Sequence, residues 1–106
     1  KTLNNEIFCW GGNYYGQLGL ENRALHRLPT QCTSLLNQDV VDIKCGEYFT
    51  IALTSNGDVF SCGENEYGQL GKDRDINFSL SFQKIEDLSE ITRIECGDYH
   101  SLCIDA

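Results

Sequence analysis

An internal repeat of roughly 50 residues constrains the fold of this chain more than any other feature of its sequence. The stretch IFCWGGNYYGQLG at 7–19 matches VFSCGENEYGQLG at 59–71, and IKCGEYFTIAL at 43–53 matches IECGDYHSLCI at 94–104. Between these blocks the two copies diverge, and the offset changes from 52 to 51 residues. A fixed period of this length is typical of solenoids, propellers and other arrays that use one supersecondary unit several times.

Within each repeat, the apolar residues follow the period of short β-strands. In VVDIKCG the positions of Val41, Ile43 and Cys45 predict that these three side chains share one face of a strand. The segments TIALT (50–54) and SLCID (101–105) carry apolar residues on both sides. They are therefore predicted to be central strands that are covered on two faces.

A hairpin and two further strands complete the unit. Asn56-Gly57 predicts a two-residue turn, whose central positions need positive φ. The strand after this turn is Val59–Cys62, and its equivalent in the other copy is Ile7–Trp10. A fourth strand is expected in each divergent segment, at about 30–36 and 83–88. Because four short antiparallel strands make one propeller blade, each repeat is predicted to supply a blade.

The predicted fold is all-β: two blades, each a four-stranded antiparallel sheet, of a β-propeller. We expect a single domain, 1–106, with one repeat at about 1–53 and the other at about 54–106. The first blade is expected to lack the strand equivalent to 101–105, and the start at Lys1 predicts a fragment of a longer chain. Two blades alone expose apolar faces and open strand edges, so the sequence predicts either a piece of a larger propeller or a unit that assembles head to tail. Closed rings of the unit would hold an even number of blades, such as six or eight.

The sequence from Cys45 to Gly71 reads CG-x-x-F-T-x-x-L-T-x-x-G-x-V-F-x-C-G-x-N-x-x-G-Q-L-G. This pattern resembles the regulator of chromosome condensation repeat family, and the resemblance covers essentially the whole chain as two repeats. Repeats of that family form a seven-bladed β-propeller, so the resemblance implies the same fold. WD-type repeats are shorter and carry His and Trp-Asp signatures, whereas Kelch repeats carry paired glycines; neither pattern fits this sequence.

A few positions depart from the family pattern. Phe49 stands where His100 stands in the second repeat and where the family usually has His, and Cys62 stands where Trp10 stands in the first repeat. The resemblance implies that Trp10 packs in the core between blades; exposed at a surface, it would instead be a candidate binding anchor. Because the equivalent residues differ in size, the two blades are not expected to pack identically.

The glycine-rich turns GGNYYGQLG and GENEYGQLG raise the question of a phosphate site. A phosphate cradle uses backbone N–H groups at the start of a helix, but no helical pattern follows either turn and neither contains GK[ST]. The turns are therefore interpreted as architecture. Asn13 and Asn65 are predicted to hydrogen-bond the backbone of their own turn. The glutamines that follow are expected to bond neighbouring backbone, and Leu18 and Leu70 to anchor the turns in the core.

No arrangement of residues in the sequence predicts an enzyme. His100-Ser101 suggests a catalytic pair, but the equivalent residues of the other repeat are Phe49 and Thr50, which favours a structural role. The sequence shows no triad, no paired carboxylates in a shared motif and no nucleophile elbow. We therefore expect no catalytic residues, no cofactor and no enzymatic activity.

The six cysteines are predicted to be reduced thiols, with no disulfide. They include no CxxC pair, and most sit inside apolar runs, where a free cysteine behaves as a small hydrophobe. They are Cys9, Cys32, Cys45, Cys62, Cys96 and Cys103. Neither His26 nor His100 stands at finger-like spacing from a ligand pair, so no metal site is expected. Reduced thiols predict an intracellular location, cytoplasmic or nuclear.

The formal net charge of −8 argues against direct nucleic-acid binding, because a duplex binder needs clustered basic residues and the eight here are scattered. An acidic surface suits a basic protein partner instead. No apolar run is long enough to span a membrane, so no membrane partner is expected. The structural neighbours are expected to be adjacent blades, from the parent chain or from other copies.

Recognition is expected where the two repeats stop agreeing, because loops are free to differ and carry binding residues. The segments LENRALHRLP (20–29) and KDRDINFSLSF (72–82) follow the repeated turns, and the tyrosines inside the turns are expected to be exposed. The alternative interpretation is that each of these residues is an ordinary solvated loop residue with no role in binding. The candidate partner-binding residues are Tyr14, Tyr15, Arg23, Arg27, Tyr67, Lys72 and Arg74.

The sequence and the resemblance together predict a protein–protein interaction scaffold, formed by propeller repeats within a larger intracellular regulatory protein. The resemblance also implies an alternative, guanine-nucleotide exchange on a small GTPase such as Ran, which some members of the family catalyse. An exchange factor needs an inserted wedge, and neither repeat has an insertion beyond one or two residues relative to the other. A third hypothesis is a self-assembling structural unit.

Overall fold

The computed structural model describes residues 6–13, 15–35, 37–65, 69–71 and 78–105. Across these ranges the regular elements are β-strands, and no helix long and apolar enough to cross a bilayer is found in them. The strands are β1 (Phe8–Gly11), β2 (His26–Gln31), β3 (Val40–Cys45), β4 (Phe49–Thr54), β5 (Val59–Glu64), β6 (Phe78–Lys84), β7 (Ile91–Cys96) and β8 (Ser101–Asp105).

The strands form three antiparallel sheets, namely β3-β4-β5-β6 and the two pairs β1-β2 and β7-β8. The predicted all-β architecture of antiparallel blades is confirmed, but the strands divide differently from the repeats. The complete blade crosses the repeat boundary, because β3 and β4 come from the first repeat and β5 and β6 from the second. The pair β1-β2 is the repeat equivalent of β5-β6, and β7-β8 is the equivalent of β3-β4. The described residues therefore hold one whole blade between two half-blades.

The two half-blades are different halves of a blade. Strand β7 packs against β3 and β4 of the complete sheet, in which β3 is the first strand and β6 the last. We call β3 and β7, which lie side by side in neighbouring blades, the inner strands. The pair β7-β8 is then the inner half of one blade, and β1-β2 is the outer half of another.

The hairpin between β4 and β5 has a three-residue loop rather than the predicted two-residue turn. The Thr54 N–H donates to the Asp58 carbonyl at 2.9 Å, and the Gly57 N–H donates to the Thr54 carbonyl at 3.0 Å. Gly57 has a φ of 84°, whereas Asn56 is not among the residues with positive φ. This is a type I turn closed by one left-handed glycine, the usual geometry of three-residue hairpins. The prediction was wrong about Asn56 and correct about Gly57.

Strand β3 contains an irregularity that the alternating pattern does not reveal. Val40 pairs with Thr54, but the next pair joins Asp42 to Leu53, so Val41 is an extra residue. Val41 is 54% exposed while Val40 is buried. The predicted shared face of Val41, Ile43 and Cys45 is therefore wrong, because the bulge turns Val41 away from the core.

The two segments predicted as central strands behave differently. All six residues of β4 are buried, as expected for a strand with a neighbour on each side and cover on both faces. In β8 Leu102 and Ile104 are 61% and 53% exposed, which contradicts the prediction for that segment. The reason is that β8 pairs only with β7 among the described residues. The fourth strands also differ from prediction, since β2 and β6 begin at His26 and Phe78, four or five residues earlier than expected.

Two hydrophobic clusters lie on opposite faces of the complete blade. The first core consists of Phe49, Ile51, Leu53, Val59, Leu70, Ile85, Ile91 and Ile94. The second core consists of Ile7, Cys32, Leu35, Val40, Ala52, Cys62 and Phe82. Because successive side chains of a strand point to opposite faces, β4 directs Ile51 and Leu53 to the first core and Ala52 to the second. Burial of each large aliphatic side chain contributes about 1.5–3 kcal/mol, so these cores join the sheets into one unit.

Trp10 does not join either core. Its side chain is 58% exposed, whereas its repeat equivalent Cys62 is fully buried in the second core. Trp10 lies on β1, which pairs only with β2 among the described residues, so no further strand covers it. The expectation that Trp10 packs between blades is wrong for the chain by itself.

Candidate functional site: the loop end of the blades

The strand order places four connections at one end of the blades. The connections from β1 to β2, β3 to β4, β5 to β6 and β7 to β8 all lie there, because successive strands are antiparallel. We call this end the loop end. The opposite end carries the connections from β2 to β3, β4 to β5 and β6 to β7. Among the described residues, the loop end contains the glycine-rich turns and the predicted partner-binding residues Tyr15 and Arg23, so it is the candidate interaction surface.

The asparagines of the glycine-rich turns hold the backbone as the sequence predicted, but of the two leucines predicted to anchor the turns only Leu70 lies in a core. The Leu18 N–H donates to Asn13 Oδ1 at 3.1 Å, and the Leu70 N–H donates to Asn65 Oδ1 at 3.1 Å. The side chain of Gln17 accepts the Tyr15 N–H at 3.0 Å. Asn13, Asn65 and Leu70 are buried and Leu18 is half-buried. These polar side chains are used in holding the backbone, which favours an architectural role for the turns.

The first of these turns also packs against the neighbouring blade. Gly16 has a φ of 77°, and a Cβ on it would lie 2.8 Å from the Cα of Leu80 in β6. The chain then continues along β6, where the Glu21 N–H donates to the Leu80 carbonyl at 2.8 Å. Only glycine combines this left-handed conformation with so close a backbone approach.

A repeated hydrogen bond joins each turn to the next blade. Thr50 Oγ1 donates to the Gln17 carbonyl at 2.8 Å, and Ser101 Oγ donates to the Gln69 carbonyl at 2.7 Å. The Gln17 carbonyl also accepts the thiol of Cys62 at 3.4 Å. The hydroxyl of Ser101 is thus used in blade packing, which supports a structural role for this position.

The hairpin tips at the loop end are shaped by a ring stacked on a glycine. A Cβ on Gly46 would collide with the ring of Phe49, and a Cβ on Gly97 would collide with the imidazole of His100. In both hairpins the glycine N–H donates to the carbonyl of that ring residue at 2.9 Å. This close contact explains why His and Phe occupy equivalent positions, since either flat ring fits over the glycine.

Between the glycine and the ring, each hairpin tip presents an acidic residue followed by a tyrosine. Tyr48 and Tyr99 are 37% and 46% exposed, and Glu47 and Asp98 are exposed beside them. The two tips are connected, because Tyr99 Oη donates to Glu47 Oε2 at 3.1 Å and the Glu47 N–H donates to the Asp98 carbonyl at 3.3 Å. The pKa of the Tyr48 phenol is raised, because its O–H donates a hydrogen bond to the Glu47 carboxylate and because the negative charge of that carboxylate disfavours the phenolate.

Tyr15 extends this arrangement onto the next half-blade. Its ring centroid lies 5.1 Å from that of Tyr48, with the planes tilted by 51°. The five residues that run across three neighbouring sheets form what we call the aromatic–acidic row. The row consists of Tyr15, Glu47, Tyr48, Asp98 and Tyr99.

The other predicted binding residues are distributed around this row. The guanidinium of Arg23 lies 4.8 Å from the ring centroid of Phe78 on β6, which connects the β1–β2 loop to the complete blade. Arg27 is exposed on β2. Of the seven candidates, the structure brings only Tyr15 into the row. The remaining four, Tyr14, Tyr67, Lys72 and Arg74, lie outside the described residues.

Sequence reasoning missed four residues of the row, Glu47, Tyr48, Asp98 and Tyr99. They belong to the repeated segments CGEYF and CGDYH, and repetition was interpreted as a sign of scaffold. A signal was nevertheless present. In each segment the glycine and the ring residue on either side of the acid–tyrosine pair have a structural role. The acid and the tyrosine between them lie at a hairpin tip, where such residues are expected to be exposed to solvent.

The cysteines are described in full, and all six are free thiols. Cys32 and Cys62 are buried, Cys9, Cys96 and Cys103 are half-buried, and Cys45 is exposed. A hydrogen bond between the thiols of Cys9 and Cys32 raises the pKa of Cys9 and lowers that of Cys32. Burial raises the pKa of Cys96 to about 11. Within the described residues no cluster of His, Cys, Asp or Glu has the geometry of a metal site.

Comparison with known proteins places these observations in a family. A family model for the regulator of chromosome condensation (RCC1) repeat matches residues 4–53 and 56–104. A second model for the same repeat matches residues 40–69. The matched segments cover almost the whole chain and coincide with the two sequence repeats.

Several curated relatives match nearly the whole chain. The probable E3 ubiquitin-protein ligase HERC4 of Rattus norvegicus is 41% identical over 102 residues, which is 94% of this chain and 10% of that protein. The secretion-regulating guanine nucleotide exchange factor of Bos taurus is 40% identical over 106 residues, which is 99% of this chain and 23% of that protein. The chain therefore spans about a tenth to a quarter of the length of these relatives.

A solved structure shares the fold. The crystal structure of Prp20p from Saccharomyces cerevisiae matches with a TM-score of 0.89 and 23% sequence identity, over 98% of this chain and 28% of that one. The family model matches both repeats, and the blades cross the boundary between them. The same hydrogen bond between neighbouring blades occurs in each repeat, as expected for one repeated unit. The chain belongs to the regulator of chromosome condensation (RCC1) repeat family.

Proposed function

We propose that this chain is a protein–protein interaction module, part of the propeller of a larger intracellular regulatory protein, cytoplasmic or nuclear. The observation that carries the proposal is the aromatic–acidic row at the loop end. Tyrosine side chains bury much area while losing little conformational entropy, and they are common anchors of interfaces. The row offers three tyrosines across three neighbouring sheets.

The charge of the row indicates the kind of partner. Glu47 and Asp98 lie exposed between the tyrosines, and the chain as a whole has a formal net charge of −8. An acidic surface attracts a basic protein segment and repels nucleic acid. We therefore infer a protein partner that presents lysine or arginine side chains, which stack on tyrosine rings and pair with the carboxylates.

We also propose that this region is not itself catalytic. HERC4 is named as a ubiquitin ligase, but this chain corresponds to only 10% of its length. The hydroxyls of Thr50 and Ser101 are used in inter-blade hydrogen bonds to the Gln17 and Gln69 carbonyls. These contacts support a role of both hydroxyls in architecture.

A binding measurement tests the proposal. A synthetic peptide rich in arginine and lysine is titrated calorimetrically into the chain and into the double variant Glu47→Lys/Asp98→Lys. We expect the variant to bind about tenfold more weakly or worse, a loss of about 1.4 kcal/mol. The matched control is Asp39→Lys/Glu86→Lys, which makes the same charge change at two exposed residues of the opposite end. Equal weakening in both variants would contradict a site at the loop end.

The second candidate function is guanine-nucleotide exchange on a small GTPase such as Ran. The similarity to the secretion-regulating guanine nucleotide exchange factor, 40% over 99% of this chain, favours it. The Prp20p structure is described together with binding of that protein to Gsp1p and histones. A nucleotide-release assay with Ran and a panel of small GTPases separates the two functions. Accelerated release that is lost in Tyr48→Ala would favour exchange, and no acceleration would favour docking.

A further inference from the structure

The carboxylate of Glu47 is held by residues of two blades. Tyr99 Oη, on the tip of the β7–β8 hairpin, donates to Glu47 Oε2 at 3.1 Å. The phenol of Tyr48, the next residue in the chain, donates to the same carboxylate. The backbone is held as well, because the Glu47 N–H donates to the Asp98 carbonyl at 3.3 Å. The fold therefore sets the position of this carboxylate, although the residue is exposed.

The exposure of this hairpin tip does not depend on an open strand edge. The β3–β4 hairpin belongs to the complete blade. It contacts Tyr15 of one neighbouring half-blade and Tyr99 of the other. Both neighbours of the tip thus lie within the described residues. An exposed and oriented carboxylate at this position is a property of the complete blade.

The two phenols leave acceptor capacity on Glu47. An ionised carboxylate has about four lone-pair sites on its two oxygens and can accept two parallel hydrogen bonds from one guanidinium. Tyr48 and Tyr99 each use one of these sites. Within the described residues, no lysine or arginine forms an ion pair with Glu47. The carboxylate is therefore oriented toward solvent, where a cation of a partner can reach it.

Aromatic rings lie beside the carboxylate. The rings of Tyr15 and Tyr48 have centroids 5.1 Å apart, with their planes tilted by 51°, and Tyr48 is exposed. A guanidinium stacks flat on such a ring, whereas an ammonium interacts with it as a compact point charge. The chain itself shows such a contact at the same end, where the Arg23 guanidinium lies 4.8 Å from the ring centroid of Phe78.

We propose that Glu47, Tyr48 and Tyr99 bind one arginine side chain of the partner and select arginine over lysine. The guanidinium donates two parallel hydrogen bonds to Glu47 and stacks on the ring of Tyr48. Tyr99 is a positioning residue, since its hydroxyl holds the carboxylate from the neighbouring blade. The inference rests on the proposed function, because it identifies the side chain that the aromatic–acidic row binds.

Asp98 provides an internal comparison for Glu47. It is exposed at the equivalent position of the other hairpin and carries the same charge. Within the described residues no hydroxyl donates to its carboxylate, whereas Glu47 accepts two phenols. Loss of the Asp98 charge is therefore the matched control for loss of the Glu47 charge.

Peptides of equal length and charge test the selection. One alternates arginine with serine, the other alternates lysine with serine, and each is titrated calorimetrically into the chain. We expect the arginine peptide to bind about tenfold more tightly than the lysine peptide. A third peptide carries asymmetrically dimethylated arginines, which keep the charge but lose the paired N–H donors. It should bind no better than the lysine peptide.

Three variants connect the selection to Glu47. Glu47→Gln should reduce the ratio of the arginine and lysine affinities to about one. Asp98→Asn removes the same charge at the same end and should weaken both peptides equally. Tyr48→Phe/Tyr99→Phe keeps both rings and removes both hydroxyls, so it should also lower the ratio. Thermal unfolding of each variant distinguishes a loss of selection from a loss of the fold.

Failure of this inference is distinguishable from failure of the proposed function. Equal affinities of the arginine and lysine peptides, both reduced in Glu47→Lys/Asp98→Lys, would overturn arginine selection and leave a basic-peptide surface at the loop end. Absence of binding by either peptide would overturn both proposals. An affinity ratio that is unchanged in Glu47→Gln would show that another site selects arginine, which also overturns the inference.

Discussion

Replacement of Asn65 by alanine tests whether the repeated turns are architecture. Asn65 is fully buried, and its Oδ1 accepts the N–H of Leu70, which is itself fully buried. Alanine leaves that N–H without its acceptor in a site that excludes water. An unsatisfied buried donor costs about 1–3 kcal/mol, and the lost packing of the amide adds to this. We expect the free energy of unfolding to fall by about 2–3 kcal/mol.

Thermal unfolding followed by circular dichroism measures this effect. For a domain of this size, each kcal/mol shifts Tm by about 4–8 °C, so Asn65→Ala should lower Tm by roughly 10–20 °C. Asn56→Ala is the matched control, since Asn56 is exposed and has no positive φ. That control should stay within about 0.5 kcal/mol of the parent chain. If Asn65→Ala is as stable as Asn56→Ala, the turn is not held as described.

Three further variants test a hydrogen bond between blades, the packing of a hairpin tip and the titration of one cysteine. Thr50→Val removes the hydroxyl that bonds the Gln17 carbonyl at 2.8 Å and should cost about 1 kcal/mol in a chemical denaturation experiment, whereas Thr92→Val at an exposed position should cost little. Gly46→Ala should destabilise the chain by about 1–3 kcal/mol, because the added Cβ collides with the ring of buried Phe49. Gly97→Ala should cost less, because the exposed imidazole of His100 is free to move. Equal Tm values for the two variants would contradict this difference. Burial raises the pKa of the Cys96 thiol from 9.0 to about 11 in the folded state. The protonated thiol therefore contributes stability below pH 9 that is lost as the pH rises toward 11. Cys96→Ser should make the free energy of unfolding fall less steeply between these pH values.

The repeat and its hydrophobic pattern were sufficient to predict the order of the strands and the glycine-rich turns, because these depend on local patterns. Asn13 and Asn65 cap their turns as expected, and Gly57 supplies the left-handed residue of its hairpin. The division into one whole and two half-blades was not predictable in the same way. Strand pairing is non-local, and the sequence repeat begins at a different strand from the blade.

Burial was predicted less well, because it depends on neighbours that a pattern does not identify. Val41 fits an alternating face but lies at a bulge, and a bulge leaves no mark in hydrophobic periodicity. Trp10 and Leu102 are apolar residues of predicted strands, yet both lie beside an open edge. At the loop end, Tyr48 and Tyr99 were overlooked because a repeated residue was taken to be a scaffold residue.

We propose above all that the loop end of the blades is the surface that binds a basic protein partner. A titration of the isotope-labelled chain with the arginine- and lysine-rich peptide, followed by amide chemical shifts, tests it most directly. We expect the largest shift changes in the hairpin tips at 46–48 and 97–100. Changes concentrated in the connections at 55–58 and 85–90, at the opposite end, would contradict it.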